Sequence, residues 1–219
     1  MLSFDAYICA GCASEMKKTP VTSCSLCAEP LAEKDEFELQ NLMCKDCYDN
    51  KPAYKDLFAC YIYGDKTKEL IHRFKYENRP YLAKTLSQLM LDRLENENSV
   101  ILPEIDFIIP IPLYPARQRE REFNQSNALA LRLSAFSGKP VIPALKKIRN
   151  TQPQASLKSK DRLKNMNGAF ALSAKFNHNG KRLLIVDDVV TTTATVREAA
   201  RILKRSGAAS ISILAFAKG

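Results

Sequence analysis

The segment Leu183-Leu-Ile-Val-Asp-Asp-Val-Val-Thr-Thr-Thr-Ala-Thr-Val196 limits what this chain can fold into more than any other. An apolar run of strand character ends in two adjacent carboxylates, Asp187 and Asp188. A hydroxyl-rich loop of Thr191, Thr192, Thr193, Ala194 and Thr195 follows, and then a helical pattern begins. A continuous apolar strand leading into a helix points to a parallel sheet covered by helices, whose ligands sit beyond the carboxyl ends of the strands. Unpaired N–H groups at the helix start attract phosphate, and paired acids offer acceptors for sugar hydroxyls or a metal. This order suits a phosphorylated sugar. A plainer reading has an Asp after the strand capping the next helix. That explains one acid, but not two acids followed by a five-residue loop with four threonines.

The remaining pattern repeats the alternation. Phe58–Tyr63 reads as a strand closed by Gly64-Asp65, and Leu70, Ile71 and Phe74 share a helical face. A second helix runs from Tyr81 to about Leu94. Asp106–Pro112 is a buried-type strand entering a proline-rich loop, Phe123–Phe136 a helix and Val141–Lys147 a further strand. Thr151–Asn167 is polar and basic without a clear period and reads as a mobile loop with one helical turn. Lys181–Asp188 and Ser210–Phe216 are strands, joined by a helix over Ala194–Ser206 that Gly207 caps. Alternating strands and helices predict an α/β domain with a parallel sheet flanked by helices.

Residues 1–53 differ from residues 54–219. They are rich in cysteine, and a break falls at Pro52. Six of the seven cysteines form C-x-x-C pairs, and no secretory signal accompanies them, so metal or redox chemistry is favoured over disulfides. Cys24, Cys27, Cys44 and Cys47 have the spacing of a closed structural zinc site with four thiolates. Cys9 and Cys12 are an extra pair, either unpartnered or competing for a place in that site, and Cys60 reads as a small core residue. His72 and His178 read as packing histidines. No apolar run approaches the roughly 20 residues of a membrane span, and the expectation is a cytoplasmic protein.

The net charge of +9 is not evenly spread. Residues 115–165 contain twelve Lys/Arg and three Asp/Glu, so the whole excess lies there. Such a stretch suits a polyanion, either the phosphates of a small ligand or a nucleic-acid backbone. A merely solvated surface is the bland alternative.

The Asp187–Thr195 segment resembles the phosphoribosyl-diphosphate motif of type I phosphoribosyltransferases, in which two acids follow a strand and a Thr/Gly-rich loop opens a helix. Glu69–Tyr76, Pro110-Ile-Pro112, Arg117–Arg121 with Phe123-Asn124-Gln125, and Thr151–Phe170 precede it in a fixed order, and with them nearly the whole chain resembles the ComF family. The resemblance implies that Asp187 and Asp188 are the catalytic acids, meeting the ribose hydroxyls, and that Thr191–Thr195 cradle the 5′-phosphate. It also implies that Mg²⁺ bridges diphosphate and ribose, with Lys75, Arg117, Arg119 and Arg121 as candidate diphosphate partners. Pro110–Pro112 falls at the diphosphate loop, where either X–Pro bond could be cis. Thr151, Gln154, Arg162 and Asn165 fall in a loop expected to close as a hood. Longer relatives have four C-x-x-C pairs, of which this chain lacks the first.

Two positions depart from the family pattern. Thr193 and Glu122 stand where glycine is usual. Glycine allows positive φ and close approach of phosphate, and a β-branched residue is stiffer.

Three functions compete at this point. The chain could bind phosphoribosyl diphosphate with Mg²⁺, with or without transferring the ribose. It could bind single-stranded DNA through the basic stretch, with Tyr48, Tyr54 and Tyr114 as candidate stacking residues. It could be a scaffold for other competence proteins, DNA uptake being the process in which the family serves. No residue pattern names an acceptor base.

Overall fold

The computed structural model describes residues 8–32, 36–77, 79–97, 99, 101–151, 165–173 and 177–219. Four strands form one parallel sheet in the order β1-β6-β5-β2: β1 (Asp56–Ile62), β2 (Phe107–Pro110), β5 (Arg182–Val190) and β6 (Ser210–Lys218). The central pair is apolar through its middle, with Leu183 to Val186 and Ile213 to Ala217 almost completely buried. This is the pattern of strands covered on both faces.

Alternate residues of each strand feed two separate cores. Leu184, Val186, Leu214 and Phe216 point to one face, where they meet α4 (Asp65–Tyr76), α5 (Leu82–Asn96) and α7 (Gln125–Ser137) through Phe74, Leu86, Met90 and Leu129. Leu183, Ile185, Ile211 and Ile213 point to the other. The cover there is α8 (Ala194–Arg205), through Val196, Ala199 and Leu203, together with Cys24, Leu26, Leu31 and Cys47 of the cysteine-rich region. That region contributes three short helices, α1 (Ala10–Ser14), α2 (Glu36–Asn41) and α3 (Lys45–Asp49), and lies directly on the sheet. It therefore supplies part of a layer that helices alone would otherwise have to supply. Leu57 N–H donates to Ser25 O at 2.8 Å, Tyr54 Oη–H to Leu26 O at 2.5 Å, and Lys218 pairs with Glu29 at 2.9 Å. The chain at Lys17–Thr19 bonds along the outer edge of β1, so that edge is not left open.

Three features differ from the pattern expectation. Pro115–Arg121, read as part of a proline-rich loop, is a helix (α6) with Pro115 in its first turn, where the fixed φ of proline suits a helix start. Val141–Lys147 is not one strand. Val141 bridges to Ile108 in the parallel direction, and only Leu145–Lys147 (β3) forms a strand, antiparallel to Phe170–Leu172 (β4). Pro143 has no N–H for a ladder, which separates the two pieces. All peptide bonds of the described residues are trans, including those before Pro110 and Pro112. The segment expected to form a hood falls largely at residues 152–164, outside the described residues, as do Gln154 and Arg162. Among the described residues no helix is long and apolar enough to cross a membrane.

Arg93 on α5 is buried, and it donates to Cys60 O at 3.2 Å and Thr19 O at 3.1 Å while pairing with Glu97. It holds the edge segment, β1 and α5 together. Arg93→Ala would leave two carbonyls and a carboxylate without their partner. We expect it to cost about 2–3 kcal/mol, measured by urea unfolding.

Candidate functional site

Asp187 and Asp188 lie at the carboxyl end of β5 and are 8% and 7% exposed. Asp187 Oδ1 accepts from Ser126 Oγ at 2.9 Å and from the Asp188 N–H at 2.9 Å. Asp188 is ion-paired with a lysine of α4: Lys75 Nζ is 2.6 Å from its Oδ2, and Oδ1 accepts from Val189 N–H at 3.0 Å. One lysine cannot neutralise two buried acids. Burial, and then the charge of Asp188, push the Asp187 carboxyl up to about 7, with Lys75 and Ser126 opposing the rise. Burial works against the Lys75 charge too, but Asp188 and then Asp187 outweigh it and hold its pKa above the ordinary value.

The acids open onto a cleft of about 480 Å³ lined by Tyr63, His72, Lys75, Tyr76, Asp187 and the loop before α8. Thr191, Thr193, Ala194 and Thr195 line it, whereas the Thr192 hydroxyl is buried with no hydrogen-bond partner among the described residues. A buried, unsatisfied hydroxyl next to a helix start is a donor waiting for an acceptor.

Both positions where glycine was expected adopt the glycine conformation without being glycine. Thr193 has φ 61°, ψ −2° and caps α8, and Glu122 has φ 61°, ψ −23° and caps α6. Left-handed backbone at a β-branched residue costs on the order of 1–3 kcal/mol and persists only where surrounding contacts impose it. At Thr193 those contacts are visible. The residue is buried, its hydroxyl donates to Thr192 O at 2.6 Å, and it accepts from Arg197 Nε at 2.8 Å. The loop therefore keeps its backbone path despite the departure from glycine.

The candidate cations separate. Arg121 lies beside the cleft: its guanidinium is 5.0 Å from the Tyr76 ring centroid and donates to Tyr76 Oη at 3.1 Å and Gln125 Oε1 at 3.2 Å. Arg117 is half-buried, one helical turn from Arg121 on α6, while Arg119 is exposed. Neither lines the cleft. The helix, missing from the sequence reading, is the reason that three apparently equivalent arginines diverge. Lys147 on β3 was not singled out as a candidate, yet its pKa is lowered by burial, raised by Asp187 and lowered again by Arg117 and Arg121. It therefore belongs to the same electrostatic cluster. Ser126 and Tyr76 were also missed, because each acts through a contact with a distant element. His72 is exposed at the cleft, its ring 4.8 Å from that of Tyr76, and is not a packing residue. His178 is one: it is buried, with Nε2 2.5 Å from Ser206 Oγ.

Among the described residues Cys24, Cys27, Cys44 and Cys47 converge, with their ligand atoms within 4.8 Å of one another. Tetrahedral zinc with Zn–S near 2.3 Å needs sulfurs about 3.8 Å apart. Cys27 and Cys44 Sγ lie at 3.7 Å. The set fits a metal such as zinc. Cys9 and Cys12 do not enter it: Cys9 Sγ instead accepts from Cys12 N–H at 3.4 Å. Cys60 is a fully buried core residue, and Tyr54 is buried in the module interface and cannot stack a base, whereas Tyr48 is exposed.

Residues 127–219 match the family model described as phosphoribosyl transferase domain. Competence protein F of Haemophilus influenzae is 30% identical over 216 residues, covering 96% of this chain and 90% of that protein. Competence protein ComFC of Bacillus subtilis is 30% identical over 220 residues, covering 97% of this chain and 84% of that one. The chain belongs to the ComF family. DNA utilization protein YhgH of Escherichia coli K12 is 33% identical to this ComF chain over 208 residues, 94% and 88% of the two lengths. A solved adenine phosphoribosyltransferase aligns with 64% of the ComF chain and 73% of its own, at 17% identity and a TM-score of 0.40.

Two measurements follow. With its folded pKa near 7, above the ordinary 3.8, Asp187 is favourable to folding only while protonated. Its contribution falls as pH rises between those values, and the full penalty remains above them. Asp187→Asn should therefore melt about 3–8 °C higher than the native ComF chain at pH 8, with the difference vanishing near pH 4. Removing metal with a chelator should lower the melting temperature of the entire chain in a single transition, because Cys24 and Cys47 share a core with β1, β5 and β6.

Proposed function

We propose that this ComF protein binds phosphoribosyl diphosphate together with Mg²⁺ in the cleft before α8 and acts in the handling of DNA during competence. The observation that carries the reading is the buried Asp187–Asp188 pair, one acid paired with Lys75 and the other pushed toward neutrality, beside a threonine loop that lines the same cleft. In this reading Asp187 and Asp188 accept the ribose hydroxyls, and Thr191–Thr195 with the start of α8 hold the 5′-phosphate. Lys75, Arg121 and Lys147 face the diphosphate, with Arg117 and Arg119 reached along α6. Mg²⁺ supplies charge neutralisation for the diphosphate and would be held by the ligand with Asp187 and Asp188 close by. Residues 1–53 are read as a zinc module and 54–219 as the phosphoribosyltransferase-like domain. Binding and transfer are separate properties, and only binding is proposed.

A second reading concerns single-stranded DNA. The positive excess of residues 115–165 includes Arg119, Arg132, Lys146 and Arg149, all exposed. The relatives named for competence and DNA utilization make a nucleic-acid ligand the natural polyanion for them. Lys158, Lys160 and Lys164 belong to the same stretch and lie outside the described residues.

Calorimetry with phosphoribosyl diphosphate and Mg²⁺ near pH 7 should show binding accompanied by proton release, since Asp187 must ionise to accept ribose hydroxyls beside a cation. Absence of heat and of thermal stabilisation would end this reading. Asp187→Asn with Asp188→Asn should abolish that binding and leave single-stranded DNA binding nearly intact. DNA binding itself should weaken steeply with salt.

A further inference from the structure

Arg197, in the first turns of α8, joins three things that the functional reading treats separately. Its Nε donates to Thr193 Oγ1 at 2.8 Å, one Nη to Asn50 O at 2.5 Å and the other to Cys47 Sγ at 3.4 Å. One guanidinium thus spans from the left-handed residue of the phosphate loop to a ligand sulfur of the tetracysteine centre. Its planar fork fixes the direction of all three bonds together, which lysine could not do.

The contact with sulfur depends on the state of the centre. A metal-bound thiolate carries charge and keeps its position, so it is a fixed acceptor for a cationic donor. Asn50 caps the end of α3, a helix that starts just after Cys44, and its N–H donates to Asp46 O at 2.9 Å. Two of the three anchors of Arg197 therefore belong to the metal-organised region, and the third is the residue whose backbone needs external support.

We propose that Arg197 is a positioning residue that couples the tetracysteine centre to the phosphate loop, so that metal occupancy sets the affinity of the loop for phosphoribosyl diphosphate. The proposal rests on the reading of the cleft as a phosphoribosyl-diphosphate site. It also gives Thr193 a purpose: the hydroxyl that replaces a glycine hydrogen is the attachment point for the clamp. A glycine there could hold a left-handed turn unaided.

The test is a double-mutant cycle on the full, zinc-loaded chain, read by calorimetry with phosphoribosyl diphosphate and Mg²⁺. Arg197→Ala should weaken binding about tenfold, the loss of one charged hydrogen bond. In a Thr193→Gly background the same change should cost less than about threefold, because glycine needs no clamp. Thr193→Val, similar in shape but lacking the hydroxyl, should reproduce the Arg197→Ala loss with Arg197 present. An equal tenfold loss in both backgrounds would mean that Arg197 touches the ligand directly, and would overturn the proposal. A second readout needs no ligand: with cobalt in the centre, the thiolate-to-metal absorption band should shift in Arg197→Ala, and chelator should extract metal faster from that variant. An unchanged band with an unchanged extraction rate would also overturn it. If the native chain binds no phosphoribosyl diphosphate, the functional reading fails on its own. The cobalt band and extraction rate would then decide whether the clamp to the centre exists.

Discussion

A parallel sheet cannot leave either face in water, and the rest of this structure follows from how the two faces are covered. One face is covered conventionally by α4, α5 and α7. On the other, α8 is joined by the cysteine-rich region, with Cys24, Leu26 and Cys47 packed into the same core as Leu183, Ile185 and Ile213. A region rich in C-x-x-C pairs and short polar spacers has too little apolar surface to form a layer by itself. Four cysteines placed so that they could hold a metal sit in that layer, and Cys24 and Cys47 are in consequence a structural part of the sheet domain.

The same covering places the cleft. Burial at the end of β5 is what makes the Asp187–Asp188 pair expensive, since both carboxylates lie under α4 and α7 with a single lysine between them and neutrality. The pair works increasingly against folding as pH rises above the ordinary carboxylate range, the mark of groups kept for chemistry at the expense of stability. The left-handed Thr193 has the same character: a local cost, held in place by Arg197 and by burial.

Much of this was legible in the sequence because the signals were local. The strand over 181–188, the helix from Ala194 and the cap at Gly207 each depend on a handful of neighbouring residues, and all appear where expected. The convergence of Cys24, Cys27, Cys44 and Cys47 was recognisable from spacing alone. The α6 helix was hidden by proline and by its arginines, and the β3–β4 ribbon by the polar stretch between its strands. Ser126 against Asp187, Tyr76 against Arg121 and the exposed His72 were illegible because each depends on an approach between elements far apart in the chain.

The sequence by itself determined the chemical inventory: two acids, a threonine loop, a basic stretch and four cysteines, all set by residue type and short-range spacing. Only the tertiary structure decided how these parts act on one another. Packing the N-terminal region on the sheet brought Cys47 and Asn50 to Arg197, and through it to Thr193. Residues some 147 positions apart in the chain, Asn50 and Arg197, meet there because the second face of the sheet had to be closed.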